Sequence, residues 1–392
     1  MEHIKYFSEH LPHRHLGEPQ EKQAAQYIAD RFKEIGLEST LIENRVLGWE
    51  ISGSPSLEIL EPMQEKVECA PFIYSSSTPR NGVQGELEYV GITTVIGAFK
   101  WKKYAIVDST TKNVLAYVVG RDIGPAISQP VSNPAVNWPS CIIGDKDLQM
   151  IEDLVKKGQK VRVKYNCQSQ FKPNLPAYNV QGVLKGKTEP NKIIVVSAHH
   201  DSQGALGFPQ PIDSPGASDN ASSVAAIIEF ARYFKQRGSS KTIYFVSYCG
   251  EEWGLVGSKE YVDYLEERGL LSNVVACVNL EEISKGIVLC CTDAEHERLP
   301  RINMASIVKE VYEELNLPSK IGTKWEVPPL GCDSDHWPFY LKGKPIVYIH
   351  PELYMEYHRS EDKYPDVINR ETWQRSFELT EKIIEKIDLT AI

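Results

Sequence analysis

The chain has no apolar run of the ~18 residues that a membrane-spanning helix needs, so no span is expected. It has no surplus of positive charge either. Lys and Arg number 43 against 53 Asp and Glu, for a net charge of −10. That balance disfavours a nucleic-acid or anionic-membrane binder, which needs clustered positive charge. None of the eight cysteines forms a CxxC pair, which argues against a zinc ribbon or a disulfide framework. Cys277 in NVVACVNL, and Cys290 and Cys291 in GIVLCC, sit in strand-like runs and read as buried, reduced thiols. No G-x-S-x-G elbow is present, so a serine hydrolase has no support. GKT at 186–188 fails as a phosphate loop, because Gln181 stands where the first glycine belongs and Pro190 where a helix should start. The opening MEHIKYFSEHLPHRHLGEP lacks the apolar stretch of a signal peptide, and the cytoplasm is the expected location. Its His13 and His15 read as loop residues.

What is present is ample core material, 42% hydrophobic in 392 residues, more than one ordinary domain. EPQEKQAAQYIADRFKEIGLE places Ala24, Ile28, Phe32 and Ile35 on one helical face, and Gly36 suits the end of that helix. From 52 to 165 the texture changes to short β-like runs separated by Gly, Pro, Ser and Asn, closed by a helix at DKDLQMIEDLVKKG and a strand at QKVRVKYN. After residue 175 apolar strands alternate with helices: KIIVVSAHH, NASSVAAIIEFARYFKQRG, KTIYFVSYCG, KEYVDYLEERG, NVVACVNLEE, LPRINMASIVKEVYEELN, KPIVYIHP and ETWQRSFELTEKIIEKI. That order predicts an α/β fold, a mostly parallel mixed sheet flanked by helices, with a smaller β-rich inserted domain. The expected division is a catalytic domain of residues 1–51 and 166–392 and an insert of 52–165.

The polar residues at the ends of those strands are the informative ones. His199 and Asp201, Asp219 and Asn220, Glu251 and Glu252, Glu281 and Glu282, and His358 each follow a strand or open the next helix. Taken singly, Asp219 reads as a helix cap, His199-x-Asp201 as a surface turn and the paired glutamates as solvated. In an open α/β sheet, however, ligands bind outside the carboxyl ends of the strands. Five acidic or imidazole signals at that rim make a donor set suited to a divalent transition metal, zinc first.

AHHDS, GASDN, GEEWGLVGS, NLEE, SDHWPF and YHRSED occur in the order found in the co-catalytic two-zinc aminopeptidases and their glutamate-carboxypeptidase-like relatives, which this chain resembles over residues 175–370. The resemblance implies two zinc ions per chain, with manganese or cobalt as alternatives. One would take His199, Asp219 and Glu281, and the other Asp219, Glu252 and His358, with Asp219 bridging. It implies Glu251 as general base, Asp201 as the carboxylate orienting His199, and Tyr357 as an aid to the developing oxyanion. Asp335 and His336 match the family's SDH and would shape or contact the substrate position. Many relatives carry Asp at the place of Glu281 and an apolar residue at that of Glu282, so Glu282 is the fallback ligand. His200 reads as a packed neighbour. The 52–165 stretch occupies the place of a protease-associated insert, and its closing part, PSCIIGDKDLQMIEDLVKKGQKVRV, resembles one; position alone suggests that it covers the cleft.

The function these expectations describe is a metal-dependent exopeptidase. It would cleave the amide bond next to a free N-terminal residue of a peptide, through a bridging hydroxide and a Glu base. An amidase on a small or modified amino-acid amide, or a carboxypeptidase holding a terminal carboxylate with Arg359 or Arg301, would share the chemistry. A glutaminyl-cyclase-like acyltransferase uses one zinc, and His199 together with Glu252 argues for two. A non-catalytic binding protein would be expected to have lost ligands or base, and here all are present.

Overall fold

The computed structural model describes the chain outside 96–98, 132–137, 205, 207–212, 287, 293–303, 317–333, 352–353 and 392. Two helices open it, α1 (Glu2–His10) and α2 (Pro19–Ile35). In α2 the proline occupies the first turn, where a missing N–H costs nothing. Ala24, Ala25, Ile28, Ala29 and Phe32 form its buried face. Gly36 ends it in the left-handed region at φ 84°, with the Leu37 N–H donating back to Phe32 O at 3.0 Å, a closure that favours a residue without Cβ. The sequence pattern does not announce α1, which has no side-chain cap and buries only Ile4, Phe7 and Ser8.

β1 (Glu38–Ile51) is followed by β2 (Ser56–Glu61), β3 (Glu65–Val67), β4 (Cys69–Pro71), β5 (Val83–Val95), β6 (Phe99–Val107), β7 (Val114–Gly120), β8 (Ser140–Ile143), α3 (Asp145–Lys156) and β9 (Arg162–Asn166). Strands β2 to β9 form one eight-stranded sheet in the order β3-β2-β9-β5-β6-β7-β8-β4. Leu148, Ile151 and Leu154 pack α3 against it. β7 and β8 run parallel, so the chain between them must cross over rather than turn back. Ser128 and Gln129 of that crossing lie beside His358.

The chain continues through β10 (Ser169–Leu184), β11 (Glu189–His199), α4 (Ser222–Arg237), β12 (Lys241–Tyr248), α5 (Val256–Glu267), β13 (Val274–Leu280), β14 (Val288–Thr292), α6 (Met304–Glu314), α7 (Trp337–Leu341), β15 (Ile346–His350) and α8 (Arg370–Leu389). With β1 these strands make a seven-stranded sheet ordered β1-β10-β12-β11-β13-β15-β14. The middle four are parallel and the flanking pairs antiparallel. Both faces are covered. β11 sends Ile194, Val196 and Ala198 into a core with Phe7, Ile28, Phe234, Val308 and Ile383 of α1, α2, α4, α6 and α8. It sends Ile193 and Val195 into a second core with Tyr261, Leu265 and Phe339 of α5 and α7. The period of two along the strand does this sorting, and each such side chain contributes roughly 1.5–3 kcal/mol by burial. Cys69, Cys141, Cys167, Cys249 and Cys277 are buried free thiols, Cys290 and Cys291 lie in β14, and Cys332 falls outside the described residues. No helix among the described residues is long and apolar enough to cross a membrane.

Candidate metal centre

Because the four central strands are parallel, their carboxyl ends share one edge of the sheet. His199 is the last residue of β11, and Glu251 and Glu252 follow β12 by a short turn. Glu281 follows β13 directly, and His358 lies in the loop beyond β15. Asp219 arrives in the turn ahead of α4, joined to Asn220 by a cis peptide bond. Backbone direction thus delivers six polar side chains to one rim, where such sheets bind ligands.

The side chains converge. His199 Nε2 stands 2.7 Å from Glu281 Oε1 and 3.3 Å from Asp219 Oδ1. On the other side of Asp219, Oδ2 is 3.3 Å from His358 Nε2, which is also 2.6 Å from Glu252 Oε2. Two groups of three ligand atoms result, His199, Asp219 and Glu281 in one and Asp219, Glu252 and His358 in the other, with each set mutually within 4.8 Å. Glu252 Oε1 is buried without a hydrogen-bond partner, and so is His358 Nε2, whose close contact with Glu252 lies off the line a hydrogen bond needs. Glu252 and His358, buried and converging without hydrogen-bonding one another, fit a cation between them, and mixed imidazole and carboxylate donors fit zinc.

A second ring of contacts fixes these atoms. Asp201 Oδ1 is 3.4 Å from His199 Nδ1, and its two oxygens accept the backbone N–H groups of Glu251 and Glu252 at 3.2 and 3.3 Å. The Asp201 main-chain oxygen, 3.2 Å from His199 Nδ1, holds that ring, while the Asp201 carboxylate sets the turn carrying the next two glutamates. Asp362 accepts from Ser218 N–H at 2.7 Å and Asp219 N–H at 3.1 Å. Ser334 donates its hydroxyl to Glu281 Oε2 at 2.6 Å. The Asn220 carboxamide donates to Leu280 O at 3.0 Å and accepts from Glu282 N–H at 2.9 Å, pinning the turn on which Glu281 sits.

The electrostatics are those of crowded carboxylates. Burial, reinforced by Glu281, Glu252 and Asp335, raises the proton affinity of Glu251 well above the usual carboxylate range. Burial does the same to Glu252 and Glu282 and also raises Glu281. For His199 burial opposes the charge, but Glu281, Asp201 and Asp219 outweigh it and the ring's pKa is raised. Asp219 is also opposed by burial, yet the two imidazoles hold it below the usual range. Divalent cations reverse such penalties, because they favour the charged carboxylate.

Glu251 belongs to neither group; its Oε2 is 4.0 Å from His199 Nε2. Tyr357 stacks on His358 with ring centroids 3.8 Å apart, and burial keeps its phenol protonated. Asp335 and His336 have no exposed surface, and His336 stacks on Tyr348 at 4.0 Å, which fits shaping of the site better than contact with a substrate. His200 is buried between Ser247 Oγ at 3.0 Å and Glu21 Oε1 at 3.2 Å. Glu282 turns away at φ 48° and joins neither group. His13 pairs with Asp213 at 2.9 Å. Sequence reasoning assigned no role to Asp362, Ser334, Arg14 or Gln129. Asp362 and Ser334 lie inside the quoted motifs YHRSED and SDHWPF and were findable there. Arg14 and Gln129 act over long sequence separations that leave no local signal.

The model of the Peptidase family M28 matches residues 179–384. A probable zinc metalloprotease of Pyricularia oryzae is 45% identical over 80 residues, 20% of this chain and 16% of that protein. Aminopeptidase YwaD of Bacillus subtilis is 30% identical over 177 residues, 43% of this chain and 34% of that protein. The chain thus spans about a third or less of these curated relatives. Among solved structures, the zinc aminopeptidase BSAP from Bacillus subtilis superposes with a TM-score of 0.71 over 98% of this chain and 93% of that one, at 21% identity, a likeness of fold.

Proposed function

Because the chain belongs to peptidase family M28, we propose that it is a metal-dependent aminopeptidase that holds two zinc ions and cleaves the amide bond next to the free N-terminal residue of a peptide. One observation carries the reading. Glu251 shares a strand end with the ligand Glu252 yet joins neither ligand group, and its carboxylate lies 4.0 Å from His199 Nε2. That leaves it available as a base.

His199, Asp219 and Glu281, and Asp219, Glu252 and His358, would hold the zinc, which when bound would supply Lewis acidity toward a water and the scissile carbonyl. Glu251 takes the proton of the attacking water and returns it to the departing amine; its raised proton affinity suits the second half of that task. Tyr357, kept protonated, donates a hydrogen bond to the developing oxyanion. Asp201 holds His199 and the Glu251–Glu252 turn in register. A buried carboxylate beside the groups but in neither, such as Glu282, suits a free α-ammonium group. The aminopeptidases named among the relatives support the same end of the substrate. The carboxypeptidase alternative is less supported, since Arg359 is committed to Glu68 Oε1 and Ala126 O at 3.0 Å each. Arg301 lies outside the described residues.

The test is metal content together with hydrolysis of aminoacyl, N-blocked and C-terminal amide substrates, run beside Glu251→Gln. The expected result is about two zinc ions per chain, activity confined to free-amine substrates, and a variant that keeps its metals while kcat drops by roughly 10²–10⁴-fold. Activity only on blocked amides would discard the aminopeptidase assignment. One ion with cyclisation of N-terminal glutamine would make it a cyclase.

A further inference from the structure

One ligand ring is held from outside the seven-stranded sheet. With His358 Nε2 turned to the ligand group, its Nδ1 carries the ring hydrogen, and Nδ1 lies 3.3 Å from the main-chain oxygen of Ser128. The Gln129 carboxamide nitrogen lies 3.3 Å from the same Nδ1 and 3.3 Å from the hydroxyl oxygen of Tyr357. Ser128 and Gln129 belong to the crossing between β7 and β8, and both are buried. Their backbone is fastened in turn. Ile73 N–H donates to Gln129 O at 2.9 Å, and Val131 N–H donates to Ile73 O at 3.1 Å. The Ser128 hydroxyl accepts from Leu206 N–H at 3.0 Å. Beside His358, Arg359 donates to Ala126 O and Glu68 Oε1 at 3.0 Å each, tying the ligand loop to the same segment.

Resting on the aminopeptidase reading, we infer that the β7–β8 crossing is a working part of the metal centre and that Gln129 is a positioning residue for Tyr357 and, through the Tyr357 ring stacked on it, for His358. The Ser128 carbonyl accepts the Nδ1 hydrogen and so fixes the tautomer that presents Nε2 to a cation. Gln129 donates to the Tyr357 oxygen, which leaves the phenol's own hydrogen for an acceptor in the cleft. A neutral amide does this without adding charge. A carboxylate there would extend a cluster whose members already raise one another's proton affinity. A passive lobe packed beside the cleft would need only apolar contact at this point.

The experiment is stepwise zinc titration of the metal-free protein by calorimetry, with kcat and KM at saturating zinc, for wild type, Gln129→Met and Gln129→Glu. Gln129→Met is expected to leave one zinc step within about twofold, weaken the other by roughly 10–100-fold, and lower kcat more than KM changes. Gln129→Glu accepts from Nδ1 and is expected to restore the weakened step, but not kcat, because it cannot donate to Tyr357. Melting of the metal-free variants reports on folding, and Gln129→Ala replaces the Met variant if that side chain fails to pack. Equal affinities and an unchanged kcat in Gln129→Met would overturn the inference, as would equal weakening of both steps. A wild type that binds fewer than two ions or ignores peptides would overturn the functional reading itself, and does so before any variant is measured.

Discussion

At the scale of single residues, the sharpest question is why Glu281 and not Glu282 faces the ligand group. Both follow β13, both are buried, and burial raises the proton affinity of both. The difference is backbone direction. Glu281 continues the strand, with Oε1 against His199 and Oε2 held by Ser334. Glu282 sits at φ 48° and its N–H is anchored on Asn220. Neighbouring positions at a strand end point to opposite sides, so only one can join. Glu281→Ala should therefore lower affinity for one zinc by at least ~100-fold, more than loss of an outer contact costs. Glu282→Gln should bind both ions within a few-fold of wild type. Equilibrium dialysis against buffered zinc reads the difference, and the reverse pattern would move the ligand to Glu282. The five rim positions were legible in the sequence because an apolar run that ends in His, Asp or Glu announces a strand and its chemistry together. Which of two adjacent glutamates joins the group of candidate ligands was not, because that is decided by one φ angle and by Ser334, 53 residues away.

At the scale of elements, Arg14 shows what periodicity does not encode. It lies in the connection between α1 and α2 and is fully buried. Its guanidinium donates to His200 O at 2.7 Å, Leu11 O at 2.8 Å, Pro215 O at 2.8 Å and Gly216 O at 3.1 Å. One cation thus joins the end of α1, the loop after β11 and the approach to Asp219. Gly216 makes room for it, since a Cβ there would lie 2.6 Å from Arg14 Nη2 at a φ of 59°. Burial lowers the guanidinium's pKa to about 10, with Asp362 and Asp201 opposing the fall, so it remains charged at neutral pH. Arg14→Met strands four carbonyls and should cost roughly 3–5 kcal/mol, the scale of breaking a buried charged contact. Arg14→Lys should recover only part, because an ammonium cannot span a fork of acceptors. Denaturant unfolding checks this, and a loss below ~1 kcal/mol for the Met variant would refute it. A sequence reader sees only HRH in a polar stretch. Strands and long helices were legible because their apolar periods are local, whereas α1 and this clamp depend on partners about 190–200 residues away.

At the scale of the whole molecule, a net charge of −10 is concentrated in part where it is least comfortable. Burial pushes Asp335 up to about 8 and Asp362 up to about 7, and it raises Glu251, Glu252, Glu281 and Glu282 as well. A carboxyl whose folded pKa lies above its unfolded value near ~4 contributes stability that is full below that value and is lost as pH rises through the folded value. His199, also raised, acts in the same direction across its own interval. Asp219 is lowered, so its contribution is lost only below about pH 4 and does not oppose the others near neutrality. The metal-free protein should therefore melt at progressively lower temperature between about pH 5 and pH 8. Zinc needs the same groups deprotonated, so its binding releases protons and strengthens over that range. The gap in melting temperature between zinc-loaded and metal-free protein should accordingly widen as pH rises, with a gain in unfolding free energy of ~2.7 kcal/mol for a ligand held at 100 times its Kd. Calorimetric titrations in buffers of different ionisation enthalpy should show the released protons directly. A gap that stays constant from pH 5.5 to 8, with no proton release, would mean that these carboxylates neither carry the penalty nor meet the cation that relieves it.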